Sequence, residues 1–266
     1  MLEALVFDVD GTIAETEGYH RRAFNRAFFL HGIPLLWGEE EYRRLLRVPG
    51  GWERIGYSAR LRGIAMPREV IGRIHQTKTE LYIDLLEKEG IAWRSGVRRL
   101  MQDAAQARIK VGIASVTATA AVNPLLAKGL GPDWRSVVQA VVTGEDVARK
   151  KPAPDAYLEA IRRLGVRADN AVAFEDSRAG VLSARAAGLY VIGTPSRWLV
   201  GDDLSEADLV LDQLGDAKNP WASGSPFLGR RWLELDCLML WHRTRTAAKE
   251  VWQVDACEAE RSHGRD

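Results

Sequence analysis

Cysteine is nearly absent from this chain. Two residues, Cys237 and Cys257, among 266 are too few for a secreted disulfide scaffold, and no Cys/His grouping has zinc-site spacing. Charge of one sign is missing as well. Lys plus Arg number 37 and Asp plus Glu 36, a formal net charge of +1, so nothing in the bulk draws the chain to nucleic acid or to an acidic membrane surface. No stretch approaches the ~20 apolar residues of a membrane span. The N-terminal run Ala4-Leu5-Val6-Phe7 is stopped by Asp8, too soon for the core of a signal peptide. Internal repeats and low-complexity segments are also lacking. These absences leave a soluble, cytoplasmic protein without nucleic-acid or membrane partners as the expectation. What is present is ordinary for a globular protein: 46% hydrophobic and 27% charged residues, on a chain long enough for one large domain or two small ones.

Short apolar runs alternate with longer amphipathic ones. Leu5 to Phe7, Val111 to Ala114, Val137 to Val142, Ala171 to Phe174, Tyr190 to Ile192 and Leu209 to Leu211 lack a polar alternate face and read as strands covered on both sides. Helical patterns lie between them, over Val97 to Arg108, Thr119 to Lys128, Asp155 to Leu164 and Arg178 to Ala187. This alternation predicts an α/β fold with a parallel sheet wound on both faces. From about Glu17 to Ala92 the rhythm stops. Helical patterns recur over Tyr19 to Leu30, Glu39 to Leu46 and Arg68 to Glu89, broken by Gly32-Ile33-Pro34 and Pro49-Gly50-Gly51. An all-helical block between the first two strands of an open sheet lies at the end where ligands bind. The expected division is a discontinuous core over 1–16 and 93–218, a helical cap over 17–92, and an extension over 219–266. In the extension a loop is expected around Pro220, Gly224, Pro226 and Gly229. A helix or two carrying Trp232, Leu235, Leu238 and Trp241 should follow, packed on the core or forming an interface, and then a frayed end.

Chemistry gathers at predicted strand ends. Asp8 and Asp10 directly follow the first strand, and residues two apart in extended chain share a face. Two neighbouring carboxylates repel unless a cation or a function requires them. Asp10-Gly11 alone is also a turn pair. A calcium loop does not fit, because Gly11 falls at its fourth position rather than its sixth and Tyr19 stands at the twelfth. Ser115 closes the next strand, with Thr117 two residues on, and a hydroxyl there can donate to a phosphoryl oxygen or cap a helix. Lys151 precedes Pro152 and can bring an ammonium to the same edge. Glu175 and Asp176 follow another strand, where adjacent acids serve a cation or cap a helix. Together these sites supply a carboxylate nucleophile, a second carboxylate, a hydroxyl, a cation and metal ligands, the inventory for phosphoryl transfer through an aspartyl-phosphate. Asp8, Asp10 (through its backbone carbonyl), Glu175 and Asp176 are the candidate Mg2+ ligands.

The elements Asp8-Val9-Asp10-Gly11-Thr12, Ser115, Lys151-Pro152 and Glu175-Asp176-Ser177-Arg178-Ala179-Gly180 occur in the order of the haloacid dehalogenase-like hydrolases, which the chain resembles over roughly residues 1–215. A helical insertion after the first strand is similar to their helical-cap subclass. Within it, Glu17, Gly50-Gly51-Trp52-Glu53-Arg54, His75 and Lys78 resemble the CbbY-like branch, whose characterised activity is xylulose-1,5-bisphosphate phosphatase. The resemblance implies a Rossmann-like core with an inserted helical cap and a Mg2+-dependent sugar-phosphate phosphatase. Asp8 would be its nucleophile and Asp10 its general acid and base, protonated for the first step, with Ser115 and Lys151 completing the catalytic set. It implies Glu17 and His20 near the hinge side of the site, and Arg54 and Lys78 gripping phosphate or hydroxyls that do not react. Thr117, Gly50, Gly51, Trp52, Glu53 and His75 are further candidate substrate contacts. Two departures stand out. Trp52 occupies a position where the family often has Lys, and the Ser115 to Ala121 loop is poorer in polar groups than the family's. The cap region's 13 basic against 10 acidic residues suit a second phosphate or a solvated surface. A phosphomutase returning the phosphoryl group to a sugar, and a non-catalytic sugar-phosphate sensor, are the alternatives. The expected partner is a small sugar phosphate, and the expected assembly a monomer or weak homodimer.

Overall fold

The computed structural model describes residues 1–221, 227 and 229–247. Strand β1 (Ala4–Phe7) is followed by four helices, α1 (Glu17–Leu30), α2 (Glu39–Leu45), α3 (Gly51–Leu61) and α4 (Arg68–Glu89). Then come α5 (Val97–Gln106), β2 (Lys110–Ala114), α6 (Thr119–Leu130), β3 (Ala140–Val142), α7 (Asp155–Leu164), β4 (Ala171–Glu175), α8 (Arg178–Ala186), β5 (Tyr190–Gly193) and β6 (Leu209–Val210). A last helix, α9, covers 235–247. The six strands form one parallel sheet in the order β3-β2-β1-β4-β5-β6.

The period of two along each strand divides the core. Leu5 and Phe7 point to one face, where Phe7 stacks on Phe174 with ring centroids 4.5 Å apart and joins residues of α5 and α6. Ala4 and Val6 point to the other, against α7 and α8. That second face is lined by small residues, Ala171 and Ala173 of β4 among them, which lets the helices approach the sheet closely. The order β2-β1-β4 makes β1 a switch point: its chain leaves toward β2 on one side, and β4 joins on the other. A crevice therefore opens at the carboxyl ends of these three strands.

The helical block α1–α4 has its own apolar centre of Phe24, Phe28, Trp37, Tyr42, Ile55 and Ile74. Trp198, from the loop after β5, enters that centre and meets Tyr42 edge-on at 5.9 Å. The two chain crossings between block and sheet are held together. Ala14 pairs antiparallel with Trp93, and the Arg94 side chain donates to the carbonyls of Gly11, Thr194, Pro195 and Asp212.

The structure differs from the sequence expectations at three places. Pro49-Gly50 separates two helices as expected, but a helix the sequence pattern does not announce, α3, starts directly at Gly51, with Gly50 at its cap position and Ile55 and Ala59 on its buried face. The third strand begins at Ala140 rather than Val137, because Trp134–Ser136 turn tightly and bury Trp134 first. The sixth strand is two residues long, as an edge strand can be. In the extension, Leu233 and Leu238 are fully buried in the larger core, with Leu235 and Trp241 packed beside them, and Trp221 donates its indole N–H to the Gln213 carbonyl at 2.7 Å. Gly224, Pro226 and Cys257 lie outside the described residues. Among the described residues no helix is long and apolar enough to cross a membrane.

Candidate active site

The predicted strand-end residues converge at the crevice. Asp8 leaves β1 with its N–H on the Phe174 carbonyl at 3.0 Å. Lys151 reaches it from the loop before α7: its Nζ lies 2.6 Å from Asp8 Oδ1, 2.5 Å from Glu175 Oε1 and 2.8 Å from the Ala114 carbonyl. All three of its donors are thus engaged, which fixes the ammonium. Glu175 Oε1 also receives the Tyr157 hydroxyl at 2.6 Å. Tyr157, whose ring lies 5.0 Å beneath the ammonium, went unnoticed in the sequence because a tyrosine on the buried face of an amphipathic helix has the pattern of core.

Charge in this pocket does not balance. Asp8, Glu175 and Asp176 are buried and each offers a carboxylate oxygen within 4.8 Å of the others, while Lys151 is the cation salt-bridged to this group among the described residues. Burial pushes the Asp8 carboxyl up to about 7, and repulsion from Glu175 and Asp10 adds to it, outweighing the pull of Lys151. Burial and the Asp8 and Glu175 charges push Asp176 well above the usual carboxylate range. A hard divalent cation with oxygen ligands resolves this excess, so the donor set fits one. Asp8, Glu175 and Asp176 can each offer it a carboxylate oxygen, although Glu175 Oε1 already accepts two hydrogen bonds. Gly11 leaves room for the cluster: it holds φ at +85°, and a Cβ there would stand 1.9 Å from Asp176 Oδ2.

Asp10 faces the other way. Its carboxylate accepts the hydroxyls of Thr16 and Thr117 and lies 3.0 Å from His20 Nε2. Its side chain takes no part in the acidic cluster, so only its backbone carbonyl is left for a metal role. Lys78 Nζ lies 2.8 Å from His20 Nδ1, and the ammonium can only donate, so the ring proton sits on Nε2 and points at Asp10. Burial and the Lys78 charge hold His20 neutral by lowering its pKa. Burial alone would raise the Asp10 pKa, but His20, Thr117 and Thr16 outweigh it and hold the carboxyl well below its usual range. The protonated Asp10 expected for a first step is therefore not the form this arrangement favours; with three donors aimed at it, the group is a carboxylate. Thr117, expected to face substrate, gives its hydroxyl to Asp10. Ser115 Oγ accepts the Thr117 N–H at 3.0 Å and is buried.

A cavity of about 670 Å³ lies between the strand ends and the helical block. Asp8, Asp10, Lys151 and Asp176 line one wall, and Glu17, His20, Gly50, Gly51, Trp52, Arg54, His75 and Lys78 the other. Glu17 receives the Tyr42 hydroxyl at 2.6 Å. Arg54, read from the sequence as a phosphate grip, is buried with Nε on the Leu45 carbonyl at 3.1 Å, one terminal nitrogen on Tyr42 Oη at 3.0 Å and the other toward the Val48 carbonyl at 3.4 Å. It is the strut of the α2–α3 loop. Lys78 is directed to His20 instead of the open cavity. His75 is held down to about 4 by burial and by the Lys78 and Lys150 charges, so it is neutral and offers polar contact without charge. Glu53 pairs with Lys150 across the cleft at 2.6 Å, and Trp52 lies under the Arg68 guanidinium, 5.2 Å from its ring centre. Tyr42, Thr16 and Lys150 escaped the sequence reading; Lys150, next to Lys151, was the one with a visible signal.

The haloacid dehalogenase-like hydrolase family model matches residues 2–188. The protein CbbY of Rhodobacter capsulatus is 41% identical over 216 residues, covering 81% of this chain and 95% of that protein. The plasmid-borne CbbY of Cupriavidus necator is 39% identical over 247 residues, covering 91% of this chain and 97% of the relative. Among solved structures, the D10N mutant of CbbY from Rhodobacter sphaeroides, in complex with xylulose-(1,5)bisphosphate, aligns with a TM-score of 0.77 at 39% identity, covering 80% of this chain and 95% of that one.

Proposed function

The chain belongs to the haloacid dehalogenase-like hydrolases, in their CbbY-like branch, and on that premise we propose that it is a Mg2+-dependent phosphatase of a sugar phosphate, with xylulose 1,5-bisphosphate as the substrate that fits best. The observation that carries the reading is the division of labour between two carboxylates two residues apart. Asp8 stands among other acids and against a fully engaged lysine. Asp10 is set apart from that cluster by three donors of its own. This division supports a reading in which one carboxylate attacks and the other handles protons. The CbbY relative bound to a sugar bisphosphate supports the substrate class.

In this reading Asp8 attacks phosphorus, and the bond from phosphorus to the sugar oxygen breaks as the aspartyl-phosphate forms. The leaving oxygen takes its proton from Asp10, which must first be protonated. Substrate entry beside Thr117 and His20 loosens the donors that hold Asp10 ionised and lets its proton affinity rise. Asp10 then returns to the carboxylate seen here, the form that takes a proton from water as water attacks the aspartyl-phosphate phosphorus, breaking its bond to Asp8 and releasing inorganic phosphate. Lys151 offsets charge on the phosphoryl oxygens in both steps. Mg2+, held by Asp8, Asp176 and the Asp10 carbonyl, would supply further charge stabilisation. The α1–α4 block acts as the cap that excludes bulk water during the first step.

The test is a phosphate-release panel of sugar mono- and bisphosphates, run with and without Mg2+. The reading expects turnover of xylulose 1,5-bisphosphate that depends on the metal. Release of phosphate from no phosphoester at all would contradict the enzyme assignment, and an isomerised sugar phosphate without net inorganic phosphate would contradict hydrolysis.

A further inference from the structure

Among the described residues six cationic side chains line the cavity: Arg47, Arg54, Lys78, Lys150, Lys151 and Arg178. Five are already engaged. Lys151 holds Asp8 and Glu175, Lys150 holds Glu53 at 2.6 Å, and Arg178 reaches Glu206 at 3.1 Å. Lys78 is directed to His20, and Arg54 binds two loop carbonyls and the Tyr42 hydroxyl. Arg47 alone among these has no hydrogen bond, ion pair or ring contact from its guanidinium. Its loop is nonetheless not loose. The carbonyls on either side of it, Leu45 and Val48, are the two that Arg54 holds, so the backbone carrying Arg47 is braced from within. A braced backbone spares the cost of ordering the loop when Arg47 binds, leaving only the side chain's own rotamer entropy to be lost, and its planar fork matches phosphate.

We infer that Arg47 is the specificity residue that grips the anionic group of the substrate remote from the reacting phosphoryl, and that Arg54 positions it. The inference rests on the sugar-bisphosphate reading given above and assigns the second phosphate to a residue of its own. The neighbouring groups leave that task to Arg47. His75 is neutral, and Trp52 contributes a ring already covered by Arg68. Arg54 has the bulk of its donors committed to the loop. Arg47 also lies on the helical block while Asp8 and Lys151 lie on the sheet, so a substrate with an anion at each end would bridge block and core.

The test compares kcat/KM for xylulose 1,5-bisphosphate with that for the corresponding 1- and 5-monophosphates in wild type, Arg47→Ala, Arg47→Lys and Arg44→Ala. Arg44, paired with Glu40 on the exposed face of α2, removes the same charge outside the cavity. Arg47→Ala should lower the bisphosphate-to-monophosphate ratio by roughly 10- to 100-fold, the worth of one charge-assisted contact. The loss should appear in KM rather than kcat, with Arg47→Lys recovering part of it and Arg44→Ala keeping the wild-type ratio. A ratio unchanged in Arg47→Ala, or lowered equally in Arg44→Ala, overturns the assignment to Arg47 while leaving the bisphosphate reading intact. A wild type with no preference for the bisphosphate overturns that reading and this inference with it.

Discussion

Tyr157→Phe isolates the hydrogen bond on which the position of Lys151 depends. The Tyr157 hydroxyl and the Lys151 ammonium share one acceptor, Glu175 Oε1, at 2.6 and 2.5 Å. Burial and the Glu175 charge raise the phenol far above its ordinary pKa, so it donates at every working pH. Phenylalanine keeps the ring and its contact with Lys151 and opens no cavity, leaving a single lost hydrogen bond to a buried charged acceptor as the difference. That bond contributes about 1.5–3 kcal/mol. With the phenol gone, Glu175 is held by Lys151 more than before and draws the ammonium away from Asp8. On the proposed mechanism, moving it off Asp8 by even ~1.4 kcal/mol of transition-state stabilisation costs about tenfold in kcat, whereas KM should stay within about twofold. Urea denaturation of the metal-free protein reads the first quantity and steady-state kinetics the second. In a double-mutant cycle with Glu175→Gln the Tyr157 effect should largely vanish, because the acceptor charge that makes it matter is gone. A stability change below ~0.5 kcal/mol, or a rise in KM with kcat intact, would refute the reasoning.

Further expectations follow from the same geometry. Lys78 has its pKa lowered to about 8 by burial and the Arg54 charge, against the pull of Asp10 and Glu17; it is charged below that pH and neutral above it. The KM for an anionic substrate should therefore rise as pH passes 8, and Lys78→Arg should push that limb to higher pH; a flat KM from pH 7 to above 9 contradicts this. Gly180→Ala would set a Cβ within 1.9–2.2 Å of the Glu175 carboxylate, so it should displace Glu175, cost about 1–3 kcal/mol of stability and cut kcat more than Tyr157→Phe does. Wild-type stability and turnover in that variant would show that Glu175 is not held as described. Chelation should abolish phosphate release and Mg2+ should restore it, with calorimetry detecting one site that Asp176→Asn weakens; full activity in chelator would remove the metal from the account.

The fold was legible where burial leaves a plain pattern. The strands sit under helices on both faces, so they read as short apolar runs, and the residues closing them, Asp8, Ser115 and Glu175, stood out as polar groups where the run stopped. Their meeting at one edge follows from the parallel sheet. What escaped depends on contacts across long sequence separations. Tyr157 meets Glu175 from a helix face indistinguishable from core, and Trp198 docks into the helical block from the other end of the chain. Helix α3 was hidden because Gly50-Gly51 has the composition of a break, while a pair of glycines can equally stand at a helix start. Arg54 and Arg47 are both arginines near one loop, and sequence has no means of telling which is braced against carbonyls and which is left to a ligand. The ionised state of Asp10 was equally invisible, since it is set by Thr16, His20 and Thr117 together.

The central claim is that Asp8 becomes phosphorylated and Asp10 clears the intermediate. Asp10→Asn protein incubated with Mg2+ and acetyl phosphate, whose leaving group needs no acid, tests it directly by acid quench, intact mass and peptide mapping. The account predicts one phosphoryl group per chain, labile to hydroxylamine and located on the peptide containing Asp8, with none in Asp8→Asn/Asp10→Asn. Phosphate release by the Asp8→Asn protein at the wild-type rate, or a phosphoryl group mapped to any other residue, would contradict it.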